Sequence, residues 1–346
     1  MSADTTSGTG AGTDAAIAAR AATLVACGLV WDNHACMPLR PHDVSFLPQL
    51  ERHRAAGADV VMLNVGFGET GIEDHVRMLA SMRDWLARHR DRYRLIESIG
   101  DIAAARAAGQ LAVGFDIEGA NAIDDQISLV RLYRDLGVRW MLIAYNRNNR
   151  AGGGCQDEDG GLTDFGRRMI DAMEEVGMVV CCTHAGPRTA REAMAHARGP
   201  TIFSHSNPRA LREHPRNIGD ELVRACAAKG GVVGINGIAL FLNDRNEASA
   251  RAVAEHVDHV VQLVGARHAG LGLDFVFDQE ELNEQLRQMK HTFPDGFGYE
   301  AGIGMVAPEA IPEIVEQLLR RGYRDEDVLA ILGGNWMRVA EQVWKD

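Results

Sequence analysis

The chain has 346 residues, 46% of them hydrophobic and 24% charged, enough for one large barrel or two ordinary domains. It contains no apolar run approaching the roughly 20 residues of a membrane span, which argues against a helical membrane protein. A net charge of −12 argues against a nucleic-acid partner, because phosphate binding needs clustered Lys and Arg. The composition points to a soluble protein that acts on a small molecule.

The first 20 residues are rich in Ser, Thr, Gly and Ala and lack a basic start leading into an apolar core. They read as a flexible tail rather than a secretory signal, with the main domain over residues 21–346. Six Cys at 27, 36, 155, 181, 182 and 226 form no CxxC pair, so a reduced, cytoplasmic protein is expected.

Eight short apolar segments follow, at 29–34, 59–65, 111–118, 138–146, 178–184, 200–206, 231–237 and 269–275. Between them, stretches such as 75–90, 125–137, 166–177 and 250–265 place apolar residues at i, i+3, i+4 and i+7, the stripe a helix buries against a sheet. Gly137, Gly177, Gly230 and Gly265 fall just past a helix, where a left-handed cap is wanted. Strand–helix units repeated without a composition break predict a single (β/α)₈ barrel of the TIM type, with an open doubly wound sheet as the alternative.

Polar residues fall at the C-terminal ends of these strands. His34 closes the first, Glu118 the third, Tyr145 and Asn146 the fourth, His184 the fifth, His205 the sixth and Asp274 the eighth. In a barrel those ends converge on one face. Imidazoles and a carboxylate gathered there suit Zn²⁺ or a similar divalent ion, with Glu118 able to bridge two ions through its two oxygens. Any one of these His, alone, is more often a hydrogen-bonded structural residue; the joint placement carries the reading. Asp32 and Asp116 are further candidates, and Asp116 points to the same side of its strand as Glu118. The glycine-rich AGGGC at 151–155 lacks the Lys and Ser/Thr of a phosphate loop and reads as a flexible active-site loop. A nucleophile at Cys155, Cys181 or Cys182 ranks below the metal reading.

The stretches DIEGANAI (116–123), GVRWMLIAYNRNN (137–149), the run 161–180 with THAG after it, PTIFSHSNPRALREHPRNIGDELV (200–223) and HVDHVVQLVGARHAGLGLDF (256–275) together resemble the membrane (renal) dipeptidase family of zinc peptidases. The resemblance covers about residues 29 to 345. It implies a (β/α)₈ barrel and a two-zinc site, with His34 as the first-strand ligand, Glu118 as the bridging carboxylate, and His184 and His205 on the second ion. It further implies Arg216 as the holder of the substrate carboxylate, and Asp274 as the acid near the attacking water and leaving amine. A guanidinium fork suits a carboxylate, and a buried acid beside activated water suits proton transfer.

Two departures stand at the chemistry. The family's His-x-Asp on the first strand is here His34-Ala35-Cys36, a thiol for a carboxylate, and Tyr145 replaces a His that polarises the scissile carbonyl. A phenol still donates to an oxyanion, so Tyr145 is expected in both catalysis and substrate binding, with Asn146 beside it in substrate binding. Cys36 is a candidate ligand, so one or two Zn²⁺ ions are expected. The softness of a lone thiol among oxygen and nitrogen donors favours one, on Glu118, His184 and His205. Hydrolysis of a dipeptide or related small amide with a free carboxylate leads. An amidohydrolase for a non-peptide or N-acyl substrate, or a non-catalytic binding protein on the same fold, is the alternative. A small-molecule substrate, no nucleic acid and no membrane complete the expectation, and homodimerisation is left open.

Overall fold

The computed structural model describes residues 8–345. Ten strands run β1 Trp31–Cys36, β2 Val60–Phe67, β3 Tyr93–Leu95, β4 Leu111–Glu118, β5 Val138–Leu142, β6 Val179–Cys181, β7 Thr201–Ile202, β8 Val233–Ile235, β9 Ala269–Leu271 and β10 Phe275–Val276. Eight of them pair in the order β7-β6-β5-β4-β2-β1-β9-β8, every pairing parallel. The two ends of that order, β7 and β8, meet through Phe203, whose N–H donates to Val232 at 3.0 Å and whose carbonyl accepts from Gly234 at 2.7 Å, closing the sheet on itself. The result is the expected (β/α)₈ barrel, built from the eight segments read in the sequence. The short strand β3 lies outside those segments and β10 overlaps the last of them at Phe275; they pair with β4 and β1.

The expected helices form as Ile72–Arg88, Leu129–Asp135, Asp164–Val176 and Ala250–Val264. In Asp164–Val176 the buried Phe165, Met169, Ile170, Met173 and Val176 make one stripe, and the Thr163 hydroxyl accepts from the Gly166 N–H at 3.0 Å to start the helix. Gly177 ends it at φ 74°, and a Cβ there would meet the backbone of Lys345 at 2.5 Å, so glycine is required twice over.

The expected tail needs correction. Gly8–Cys27 is a helix that packs on the helix Ile311–Arg320, burying Ala21, Leu24 and Val25, with Arg20 paired to Asp325 at 2.6 Å. Its alanines have high helix propensity, and their small side chains permit close packing that a Gly, Ser and Thr count conceals. The boundary at residue 21 therefore falls inside a continuous helix, and residues 1–7 of the expected tail lie outside those described.

Strand alternation sorts the core. On β4, Leu111, Val113, Phe115 and Ile117 join the layer facing the helices, whereas Ala112 joins the barrel interior. Asp116 and Glu118 continue that interior row at the strand's C-terminal end. Trp31, Trp140 and Trp336 fill the interior below them. Trp336 comes from the C-terminal helix Asn335–Val343 and lies where Cβ atoms on Gly270 and Gly234 would approach its ring to 2.7 and 2.9 Å. Its indole N–H donates to the Leu271 carbonyl at 3.1 Å. Trp336→Ala leaves a void the glycine backbone cannot collapse into, and a loss of roughly 3–5 kcal/mol is expected. Urea unfolding checks this; a midpoint unchanged from the parent would show that the helix docks by other contacts.

Candidate metal centre

The sequence-predicted donors meet at the C-terminal mouth of the barrel. Glu118 Oε1 lies 3.6 Å from His34 Nε2, 3.4 Å from His184 Nε2 and 3.2 Å from His205 Nε2, and the last two nitrogens are 3.1 Å apart. A second group adjoins it through His34, whose Nε2 is 3.4 Å from Cys36 Sγ and 3.4 Å from Asp274 Oδ1, with Sγ and Oδ1 3.7 Å apart. Asp274 thus stands within the donor cluster itself, although the sequence reading gave it only a proton-transfer role.

Each imidazole is turned by a partner on its other nitrogen. His34 Nδ1–H donates to Asp116 at 3.2 Å, His184 Nδ1–H to the Asn146 side-chain oxygen at 2.6 Å and His205 Nδ1–H to the Ser204 hydroxyl at 3.0 Å. The Asn64 amide donates to both Asp116 and Glu118 at 3.2 Å, and Asn236 donates to Asp274 Oδ2 at 2.8 Å. This outer layer aims Nε2 of every His into the cluster, the arrangement metal-binding imidazoles need. Asn64, Ser204 and Asn236 carry no signal in the sequence beyond being small polar residues on strand ends. Asn146, expected to contact substrate, has both ends of its amide engaged: the oxygen by His184 and the nitrogen by the Thr292 carbonyl at 3.2 Å. Through that oxygen it orients the His184 ring, and it also lines the cleft over the cluster.

Two features test whether a divalent cation fits. The Glu118 Oε1 atom is buried with no hydrogen-bond donor, a state costing about 1–3 kcal/mol unless something positive meets it. Ligands about 2.0–2.3 Å from one zinc ion stand roughly 3.3–3.7 Å apart in a tetrahedron, and the donor spacings above are of that size. The metal-free electrostatics is divided: burial lowers His34, yet Asp116, Cys36 and Glu118 together hold it well above the usual histidine range, so a metal ion would have to displace its proton. Burial, opposed by His34 but assisted by Asp274 and Asp116, pushes the Glu118 carboxyl up to about 8. Burial, with nearby Arg216 and the other imidazoles, holds His184 and His205 well below the usual histidine range, so they are neutral donors. The residues present fit a metal ion.

The backbone is strained at the same place. Asn146, His184 and Asp274 adopt positive φ of 56°, 64° and 57°, costing of order 1–3 kcal/mol each, a concentration expected where function dictates conformation. The AGGGC segment is not the flexible loop expected. It is packed behind the cluster, where Gly154 has its N–H on Asn148 at 3.0 Å and a Cβ would strike the Asn146 backbone at 2.3 Å. Asp32 is also removed from the site, since its buried carboxylate accepts from His53 at 3.0 Å and from the Leu273 N–H at 2.8 Å.

A cleft of about 800 Å³, counting its open mouth, lies over the cluster and reaches Cys36, Glu118, Tyr145, His184, Arg216 and Asp274. Tyr145 stacks on His184 with ring centroids 4.0 Å apart, and burial holds its phenol well above the usual range, so it keeps its proton. Arg216 is 4% exposed, sits 5.3 Å over the Phe241 ring and makes no ion pair among the described residues. Its loop is pinned by His214, whose Nδ1 accepts from the Arg216 N–H at 3.0 Å while Nε2 donates to the Phe297 carbonyl at 3.0 Å.

No helix among the described residues is long and apolar enough to cross a membrane. An amidohydrolase from Pseudomonas aeruginosa superposes with a TM-score of 0.86 at 28% identity, over 94% of this chain and 99% of that one. A metallopeptidase from Rhodobacter sphaeroides, liganded with a phosphinate mimic of the dipeptide L-Ala-D-Ala, superposes with a TM-score of 0.73 at 19% identity over 91% of this chain and 99% of that one, a likeness of fold. An uncharacterized dipeptidase of Schizosaccharomyces pombe is 29% identical over 80% of this chain and 63% of its own length. The chain spans 52 to 63% of the length of the first curated relatives it matches. The profile of the membrane dipeptidase family (peptidase family M19) matches residues 55–291, starting after the strand that carries His34 and Cys36. With about two-thirds of its length inside that profile, the chain belongs to the membrane dipeptidase family.

Proposed function

We propose that this protein is a zinc-dependent hydrolase that cleaves the amide bond of a dipeptide or related small molecule with a free carboxylate. The observation that carries the reading is the buried, donorless Glu118 oxygen amid three imidazole nitrogens, in one cleft with an unpaired Arg216. Family membership supports it. Glu118, His184 and His205 would hold one metal ion, with His34, Cys36 and Asp274 forming a second position. Divalent ions there supply a Lewis acid and water activated near neutral pH. Nitrogen-rich donors with one thiol and few carboxylates favour zinc over magnesium or calcium.

The remaining roles belong to the chain. The Arg216 guanidinium accommodates the substrate carboxylate as a fork. The Tyr145 hydroxyl donates to the carbonyl oxygen as it gains charge. The Asp274 carboxylate, its Oδ1 turned toward the second metal position, takes a proton from water at Oδ2, which Asn236 steadies, and returns it to the leaving nitrogen. Apolar walls exclude bulk water. A reducing, cytoplasmic setting is part of this reading, which six unpaired cysteines support.

Elemental analysis of purified protein, followed by a dipeptide panel with and without chelator, tests the assignment. Bound zinc and chelator-sensitive turnover are expected; absence of both sinks it. Arg216→Ala removes a charge-assisted contact made equally to ground and transition states, so KM should rise roughly 10–100-fold while kcat changes little. Equal parental activity on carboxyl-amidated substrates would count against that role.

A further inference from the structure

We infer that His214 is a positioning residue for substrate recognition: it ties the backbone carrying Arg216 to the wall segment 289–302, so that the clamp for the substrate carboxylate stands in place only while that segment is docked over the cleft. This rests on the hydrolase reading above and goes beyond it in naming what sets the clamp.

Little else places the Arg216 guanidinium. It makes no hydrogen bond or ion pair among the described residues and lies 5.3 Å over the Phe241 ring, so its backbone and that ring fix it. His214 touches both. Its Nδ1 accepts from the Arg216 N–H at 3.0 Å, and its ring centroid is 4.8 Å from that of Phe241. Pro215 stands between the two residues with a fixed φ, in a turn closed by the Asn217 N–H on the His214 carbonyl at 3.0 Å. A shift of residue 214 therefore reaches residue 216 with little slack.

The other edge of the imidazole belongs to the wall. Nε2–H donates to the Phe297 carbonyl at 3.0 Å, and the ring lies between Phe297 and Tyr299, with centroids 6.2 and 6.0 Å away. A backbone N–H on Nδ1 and a backbone carbonyl on Nε2 admit one state of the ring, the neutral Nε2–H tautomer. Burial, opposed by the Phe297 carbonyl and helped by Arg216, holds the imidazole down to about 4, so that state persists at neutral pH.

The segment depends on contacts of this kind. Its regular structure is one 3₁₀ turn, Tyr299–Ala301, and it bends through Gly296 and Gly298, both at φ 90°. Side-chain donors from the barrel loops fasten it: Asn146 on the Thr292 carbonyl at 3.2 Å, Arg147 on the His291 carbonyl, Gln156 on the Tyr299 hydroxyl at 2.7 Å and Asn246 on the Gly302 carbonyl at 3.0 Å. It supplies Phe293 and Tyr299 to the cleft. Of its fastenings, His214 is the one bonded at its other edge to the residue that receives the carboxylate. A substrate packed on Phe293 and Tyr299 holds the segment down and, through His214, holds the guanidinium where its carboxylate lands.

L-Leucyl-L-leucine and L-leucyl-L-leucinamide, compared on the zinc-loaded parent and two variants, test this. His214→Asn keeps an oxygen near the Nδ1 position for the Arg216 N–H but is too short for the Phe297 carbonyl. Gly298→Ala leaves His214 untouched and displaces its acceptor, because a Cβ at φ 90° would meet Leu240 at 2.7 Å. Each variant should raise KM for the dipeptide about tenfold, the scale of one lost buried hydrogen bond, with kcat within about threefold, parental zinc content and an unchanged KM for the amide. Parental KM for the dipeptide in either variant overturns the inference, and so does an equal rise for acid and amide, which is loss of general packing. If one variant fails to fold, the other decides. A parent that treats acid and amide alike removes the Arg216 clamp and this inference with it. If the parent turns over neither compound, the hydrolase reading falls by itself, and calorimetric Kd values for the same pair decide. Acid binding weakened about tenfold with amide binding unchanged then upholds the role of His214, and unchanged acid binding overturns it.

Discussion

Glu118→Gln is expected to lower kcat/KM by about three orders of magnitude or more and to remove most of the bound metal, because it withdraws the carboxylate shared by three imidazoles. The same change should not harm the metal-free fold. Burial already pushes the Glu118 carboxyl up to about 8, so an uncharged amide of the same shape resembles the form the metal-free site prefers. Asn64 can keep its contact to the retained side-chain oxygen. Thermal unfolding in chelator should therefore give Glu118→Gln a midpoint equal to or above that of the parent, whereas added zinc should stabilise the parent alone. Site residues are held against local stability for function, and relieving that conflict is the expected origin of the gain. If Glu118→Gln were destabilised in chelator by more than about 2 kcal/mol, the carboxylate would be acting as an ordinary buried hydrogen-bonding partner instead.

What could be read in advance depended on whether a residue's role followed from period or from contact. The eight barrel strands were legible because parallel strands covered on both faces read as continuous apolar runs, and even β7, only Thr201–Ile202 as a strand, was marked by its place in the repeat. Asp116 and Glu118 were legible as a same-side pair because strand side chains alternate. Which of them binds Nδ1 of His34 and which lies among the Nε2 atoms was not, since that depends on where β1 sits beside them. Ser204, Asn64 and Asn236 act only through a neighbour brought close by closure of the barrel. The helix Gly8–Cys27 and the wall segment after β10 were missed for opposite reasons. The first hides packing behind a low-complexity composition. The second packs Leu282, Leu286, Phe293 and Tyr299 into the cleft from a stretch with little regular period beyond one short helix.

Cys36 decides how many ions the site holds, and here the geometry shifts the balance. From residue type alone, a lone thiol among harder donors favoured one ion. Yet Cys36 Sγ lies 3.4 Å from His34 Nε2 and 3.7 Å from Asp274 Oδ1, the spacing of three ligands on one ion, although a residue used only for packing had no reason to point there. We therefore expect two zinc ions per chain in the parent, one in Cys36→Ala, and two again in Cys36→Asp. Burial holds the Cys36 thiol well above its usual range in the absence of metal, so zinc binding must release its proton. Proton release on zinc titration should accordingly fall by about one per chain in Cys36→Ala. Activity should follow the ion count: Cys36→Ala losing about 10²-fold in kcat, and Cys36→Asp recovering most of it, because a carboxylate supplies the same charge with a harder donor. A metal-to-protein ratio near one in the parent, unchanged in Cys36→Ala, would return Cys36 to a packing role and leave Glu118, His184 and His205 as the whole of the metal site.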